Sequence, residues 1–165
     1  MFLINPYIFG KTLKTGFFNK MTDIVTPAYV ITSSTTLYFL DSWRLFEDNW
    51  SNRATININV GATHWVQQDL LTAKIIPRKI KVERYYYHTS SATGTITIEV
   101  SADGSNWINF GSVSTAKGSG YSQTLYEIVN TTITTPIRYL RMKITNNGSH
   151  TQYDFNECQI VEWLE

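Results

Sequence analysis

Three segments alternate apolar and polar residues with a period of two. No other feature constrains the fold as strongly. Ala54-Thr-Ile-Asn-Ile-Asn-Val60 sets Ile56, Ile58 and Val60 against Asn57 and Asn59. Gly94-Thr-Ile-Thr-Ile-Glu-Val100 sets Ile96, Ile98 and Val100 against Thr97 and Glu99. Ile137-Arg-Tyr-Leu-Arg-Met-Lys-Ile-Thr145 keeps the same rhythm, with Ile137, Tyr139 and Met142 or Ile144 read as its core members. Successive side chains of a strand point to opposite faces, so this alternation puts one face on a core and one in solvent, as in an antiparallel sheet. Further strands are expected at 28–32, 36–40, 64–70, 78–87, 107–110, 124–130 and 157–164, with turn signals at Gly61, Asp103-Gly104, 117–120 and 146–149 between them. Many short strands broken by turns predict a β-sandwich or barrel. Helical signal is confined to 41–50, where Asp41 or Ser42 is a cap and Trp43, Phe46 and Trp50 recur near helical spacing.

The chain of 165 residues suits one domain with a sizeable core. Fourteen Lys+Arg against 13 Asp+Glu leave no cationic surplus for phosphates, so no nucleic-acid partner is expected. No stretch approaches the roughly 20 apolar residues of a membrane span, and the N-terminus is not a good signal peptide, so neither insertion nor export is expected. The lone cysteine, Cys158, excludes an intrachain disulfide and reads as a small buried hydrophobe. Residues 1–25 break the alternation and carry Phe2, Tyr7, Phe9, Phe17 and Phe18. They read as an extended N-terminal arm, a docking segment outside a sandwich of residues 26–165, or else as a closure of one end of that sandwich.

Catalytic motifs are weak. Ser114-Thr-Ala-Lys117 and Lys14-Thr-Gly16 fit fragments of a serine-acylase signature, but in the wrong chain order and without its third element. His64, His88 and His150 are isolated in sequence, and no metalloprotease, phosphate-loop or nucleophile-elbow pattern occurs. The chain is therefore read as a non-enzyme. Asp103-Gly104 is a hairpin signal, and Trp107 beyond it is read as a packing anchor.

Six motifs in order carry a resemblance: Ser42–Asn49 (SWRLFEDN), His64–Leu70 (HWVQQDL), Arg78–Tyr85 (RKIKVERY), Glu99–Trp107 (EVSADGSNW), Ile137–Thr145 (IRYLRMKIT) and Asn156–Leu164 (NECQIVEWL). Together they resemble the discoidin-like (galactose-binding-like, coagulation factor type C) family of jelly-roll domains, over roughly residues 26–165. The resemblance implies an all-β antiparallel β-sandwich whose loops at one end hold ligand. It also implies positions for a structural calcium at Asp48, Asn49 and Glu157, although the glycine usual in the first of these turns is missing here. Aromatic platforms and fixed hydrogen-bonding groups suit sugars. Trp50, Arg53, Tyr86, Tyr87, His88, His150 and Tyr153 are the expected ligand-binding residues, with Asn146 and Gln152 in the same loop.

A cysteine-poor, Asn/Thr/Tyr-rich β-chain with an aromatic arm also looks like a tailed-bacteriophage virion protein. That resemblance implies a capsid or tail decoration, present in multiple copies, that contacts other virion proteins through the arm and displays the sandwich toward host or mucosal polysaccharide. A purely structural virion component and an extracellular adhesion module are the alternatives.

Overall fold

The computed structural model describes residues 11–15, 25–26, 29–33, 54–71, 75–86, 93–115, 122–148 and 152–165. Eleven strands occur among them: β1 (Leu13–Thr15), β2 (Val25–Thr26), β3 (Tyr29–Ser33), β4 (Ala54–Asn57), β5 (Thr63–Asp69), β6 (Ile76–Tyr86), β7 (Gly94–Ser101), β8 (Ile108–Thr115), β9 (Ser122–Val129), β10 (Tyr139–Asn146) and β11 (Gln152–Leu164). They form two antiparallel sheets. A five-stranded sheet runs β1-β11-β6-β9 with β4 also on β11, and a six-stranded sheet runs β2-β3-β5-β10-β7-β8. The all-β sandwich expected from the alternation is thus present. The expected strand at 36–40 and the helical turn at 41–50 lie outside the described residues.

The inner faces of the two sheets meet in one core. Ile56, Ile58, Val66, Leu70, Ile80, Val82, Ile96, Ile98, Val100, Leu140, Met142, Ile144, Phe155, Cys158 and Ile160 are each at most 1% exposed. Each such aliphatic side chain contributes roughly 1.5–3 kcal/mol relative to exposure. Cys158 sits among them as a hydrophobe, and burial pushes its thiol above the usual range. Two expected core members are displaced. Val60 is 62% exposed, because β4 ends at Asn57 and the chain turns at Gly61, whose φ is +77°. Tyr139 points outward, because Leu140, Met142 and Ile144 take the inward parity of β10. The buried Ile137 precedes the strand in an isolated bridge to Ile75.

The outer face of the six-stranded sheet is polar. Arg141 and Lys143 on β10 both hydrogen-bond Glu99 on β7. Burial alone would raise the Glu99 carboxyl, but the bonds from Lys143 and Arg141 outweigh it and hold it below its ordinary range. Trp107 packs edge-on to Tyr139 at 6.4 Å between ring centroids, and the Arg141 guanidinium lies 3.7 Å from the Trp107 ring centroid. Trp107 is therefore a packing anchor, and the arginines brace strands. Of residues 1–25, Leu13–Thr15 is the described strand that joins the sandwich edge, pairing with Glu162–Leu164 while all three of its side chains stay exposed. Phe2, Tyr7, Phe9, Phe17 and Phe18 lie outside the described residues.

Strand β11 is buried on both faces over most of its length. At its centre a register shift between Phe155 and Glu157 inserts Asn156 and sets Glu157 opposite Glu83 of β6. Both carboxylates are buried, at 2% and 4% exposure, and Asn156 Nδ2 donates to Glu83 Oε2 at 3.0 Å. Burial pushes the Glu83 carboxyl above its ordinary range, offset in part by the Asn156 bond. The native state thus holds this proton more tightly than the unfolded chain does. The resulting penalty is absent below the unfolded pKa and grows as pH rises toward the folded one. Glu83→Gln keeps an acceptor for Asn156 and removes the charge. It is expected to raise Tm at about pH 7 and to leave it nearly unchanged at about pH 4. Equal Tm shifts at both pH values in thermal melts would refute this.

Candidate functional site

Four connections converge at one end of the sandwich. The strand ends Asn57, Thr63, Tyr86, Gly94, Thr115, Ser122, Asn146 and Gln152 are brought there by the pairings Asn57–Gln152, Thr63–Thr145, Tyr86–Ser122, Gly94–Thr115 and Gly94–Asn146. The described surface of this end is the Asn59-Val60-Gly61 turn together with Thr63, Asn147 and Gly148. Gly61 N donates to the Asn146 carbonyl at 2.9 Å, and Asn147 N donates to the Thr93 carbonyl at 3.0 Å.

Beneath these loops lies a buried hydrogen-bonded plug. Asn146 is fully buried; its Nδ2 donates to the Ile58 carbonyl at 2.7 Å, and its Oδ1 accepts from Gly148 N at 3.0 Å. The Tyr153 hydroxyl lies 2.8 Å from both Asn146 Oδ1 and the Thr93 carbonyl. Arg84, 1% exposed, places its guanidinium 4.6 Å from the Tyr153 ring centroid and donates from Nη1 to Thr115 Oγ1 at 2.6 Å. Thr115 Oγ1 also accepts from Gly94 N at 3.0 Å. Burial raises the Tyr153 phenol above its ordinary range, and the Arg84 charge opposes the rise. Asn146, Tyr153 and Thr115 are tolerated at these depths because their polar groups bond one another's segments, and such buried bonds rigidify what they join. Here they tie together the segments around Ile58, Thr93, Thr115 and Gly148.

The expected site residues fare differently against this geometry. Tyr153 is not at the surface: it is 0% exposed, since inward parity on β11 carries its ring into the core and its hydroxyl is engaged by two loop acceptors. It supports the loops from beneath and offers no ring to solvent. Asn146 is corrected in the same way. Tyr86 ends β6 at this end of the sandwich. Tyr87, His88 and His150 lie outside the described residues, but the described flanks of their segments, Tyr86 and Thr93 on one side and Gly148 and Gln152 on the other, belong to this end. Trp50 and Arg53 are also outside the described residues. The flank of Arg53, Ala54, pairs with Phe155, farther from the loops than the Asn57–Gln152 rung.

The calcium positions divide likewise. Asp48 and Asn49 lie outside the described residues, and among the described residues no group of three His, Cys, Asp or Glu could hold a metal. Glu157 and Glu83 are oxygen donors of the class calcium takes, but that ion wants six to eight such ligands. The described residues therefore supply only a fragment of such a site.

Sequence reasoning found the turn at Gly61 but missed the exposure of Val60 within it, and it missed the plug. Gly61 signalled a break, but the apolar rhythm carried Val60 into the strand. Nothing in a strand reading Glu-Arg-Tyr-Tyr marks its arginine as buried.

No family model matches the chain, and no curated protein matches it. Solved structures do. The chitosan-binding module 1 of a chitosanase/glucanase from Paenibacillus sp. IK-5 is 20% identical, with a TM-score of 0.58 over 87% of this chain and 97% of that one. The CBM32 of AlyQ, in complex with 4,5-unsaturated mannuronic acid, is 20% identical with a TM-score of 0.55 over 82% and 93%. A CBM32 domain from Clostridium perfringens, in complex with GalNAc-β-1,3-galactose, is 10% identical with a TM-score of 0.55 over 81% and 94%. The two-sheet core and these likenesses together give the chain the all-β antiparallel sandwich fold of these carbohydrate-binding modules.

Proposed function

We propose that the loop end binds carbohydrate without catalysing its turnover. One observation carries the reading: the buried plug of Asn146, Tyr153, Arg84 and Thr115 ties together the described strand ends at one end of a fold shared with sugar-binding modules. Strand ends held in place beneath a site lower the entropy lost on binding, which is what a shallow sugar site requires. Tyr87, His88 and His150, whose described chain neighbours Tyr86, Thr93, Gly148 and Gln152 belong to that end, are the proposed platform and hydrogen-bonding groups.

The test is titration of the 165-residue chain with chitosan, alginate and galactose-containing oligosaccharides. Binding of at least one class in the millimolar range is expected. The Tyr87→Ala and His88→Ala variants are expected to weaken it about tenfold, or about 1.4 kcal/mol, with no sugar released as product. No binding across all three classes would remove the reading.

A particle-bound setting, with residues 1–25 as the attachment, is a second reading. One observation favours it: β1 lies on the sandwich edge with all its side chains exposed, so this strand contributes little to the core. Deleting residues 1–25 is then expected to leave a cooperatively melting domain that no longer copurifies with particles. Unfolding of the truncated chain would refute this.

A further inference from the structure

The opposite end of the sandwich carries a cleft of about 480 Å³, lined by Leu71, Ala102, Pro136, Ile137 and Arg138. Its floor is apolar, with Ile137 buried and Leu71 and Pro136 half-buried. Its polar wall is Arg138. The guanidinium donates from Nε and from Nη2 to the two oxygens of Asp69, each at 2.8 Å, which leaves Nη1 outside the pair. The Arg138 side chain is 42% exposed, so it stays accessible.

Two further features show that this wall is held in place. Leu71 has φ of +53°, and no other non-glycine among the described residues has a positive φ. For a leucine that conformation is strained and persists only where the surroundings impose it. The Leu71 amide donates to Asp69 Oδ1 at 2.8 Å. Asp69 therefore fixes the guanidinium and the apolar wall together.

The charge balance selects the ligand class. The Arg138 charge is matched by Asp69, whose carboxyl burial would raise but which the Arg138 and Leu71 bonds hold below its ordinary range. Asp103, next to Ala102, is ionised as well, held far below the usual carboxylate range by its bonds from Asn106, Ser105 and Ser101. Among the described residues at the cleft, no cationic surplus remains to draw an anion. An apolar floor beside a fixed donor suits a neutral polyhydroxylated ring, whose C–H face is apolar and whose rim is not. We infer that this cleft is a second carbohydrate site, which takes the C–H face of a neutral pyranose against Leu71, Pro136 and Ile137 while Arg138 Nη1 donates to its hydroxyls. The site stands independently of the loop end. With both occupied, one copy of the chain bridges two glycans.

The experiment is amide-resolved NMR of the whole chain, titrated separately with galactose, N-acetylglucosamine, galacturonate and sulfate. Saturable shifts at the amides of Leu71, Ala102 and Arg138 are expected with at least one of the two neutral sugars, at millimolar concentration. Arg138→Ala is expected to weaken that binding about tenfold. Ala102→Phe, which fills the exposed mouth and leaves the Arg138–Asp69 pair intact, is expected to abolish it. Shifts at Gly61 and Gly148 report the loop end separately, so either site can fail alone. The proposal is overturned if neither neutral sugar produces saturable shifts in the cleft, if the two anions alone do so, or if both variants bind as the parent does.

Discussion

Asn146→Leu is expected to destabilise the domain by about 3 kcal/mol. The replacement keeps the branching and number of side-chain heavy atoms of asparagine but makes no hydrogen bonds. It strands the buried Ile58 carbonyl, releases the half-buried Gly148 amide, and removes one of the two acceptors near the Tyr153 hydroxyl. Each buried group left without a partner costs about 1–3 kcal/mol. For a domain of this size the Tm should fall by roughly 10 °C. The outer-face Thr145 hydroxyl, bonded to Thr63 in solvent, is the control: Thr145→Val should change stability by about 0.5 kcal/mol or less. Denaturant titrations of the two variants decide the matter, and equal small losses would show that the plug is not a structural unit. Glycan affinity should fall with Asn146→Leu even under conditions where the domain stays folded, because the loops lose their anchor.

Gly94→Val is the second large effect, expected to cost about 3 kcal/mol through overpacking. A Cβ at this position would stand 2.8 Å from the Thr145 carbonyl oxygen and 3.0 Å from the Tyr153 ring. The first obstacle is backbone in the neighbouring strand, and the second is a ring fully enclosed by the core, so neither can withdraw cheaply. Gly61→Ala makes an informative companion. Nothing lies within 4 Å of a Cβ there, and only the positive φ resists it, so its cost should be about 1 kcal/mol. A Gly94→Val melt superimposable on that of the parent chain would refute the close-packing account.

The fold was largely legible because alternation and turn chemistry act locally. Ile56, Ile58, Ile96, Ile98 and Val100 are buried as their spacing required, and Asp103-Gly104 forms its hairpin with Gly104 at a φ of +78°. Legibility stopped where parity alone could not tell which face a residue takes. Tyr139 and Leu140 are both apolar, and only the pairing of β10 with β5 and β7 decides which faces inward. The site was less legible for a related reason. Tyr153 looks like a loop aromatic, since hydrophilic residues surround it in sequence. Its burial depends on β11 starting at Gln152, earlier than the apolar pattern indicated. Arg84 and Thr115 are far apart in the chain, and the hydrogen bond that joins them exists only once both sheets have formed.

Strand β11 has a consequence for how the chain reaches this state. It is the last strand in the sequence, and it pairs with β1, β4 and β6. During synthesis the six-stranded sheet has all its members once β10 has emerged, whereas the five-stranded sheet still lacks its centre. Until β11 arrives, β4 and β6 present unpaired edges, and half of the core has no lid. Pairings of such long sequence separation also close slowly. The nascent chain therefore passes through a stage with one finished layer and open strand edges, when it is most exposed to misassociation with its neighbours.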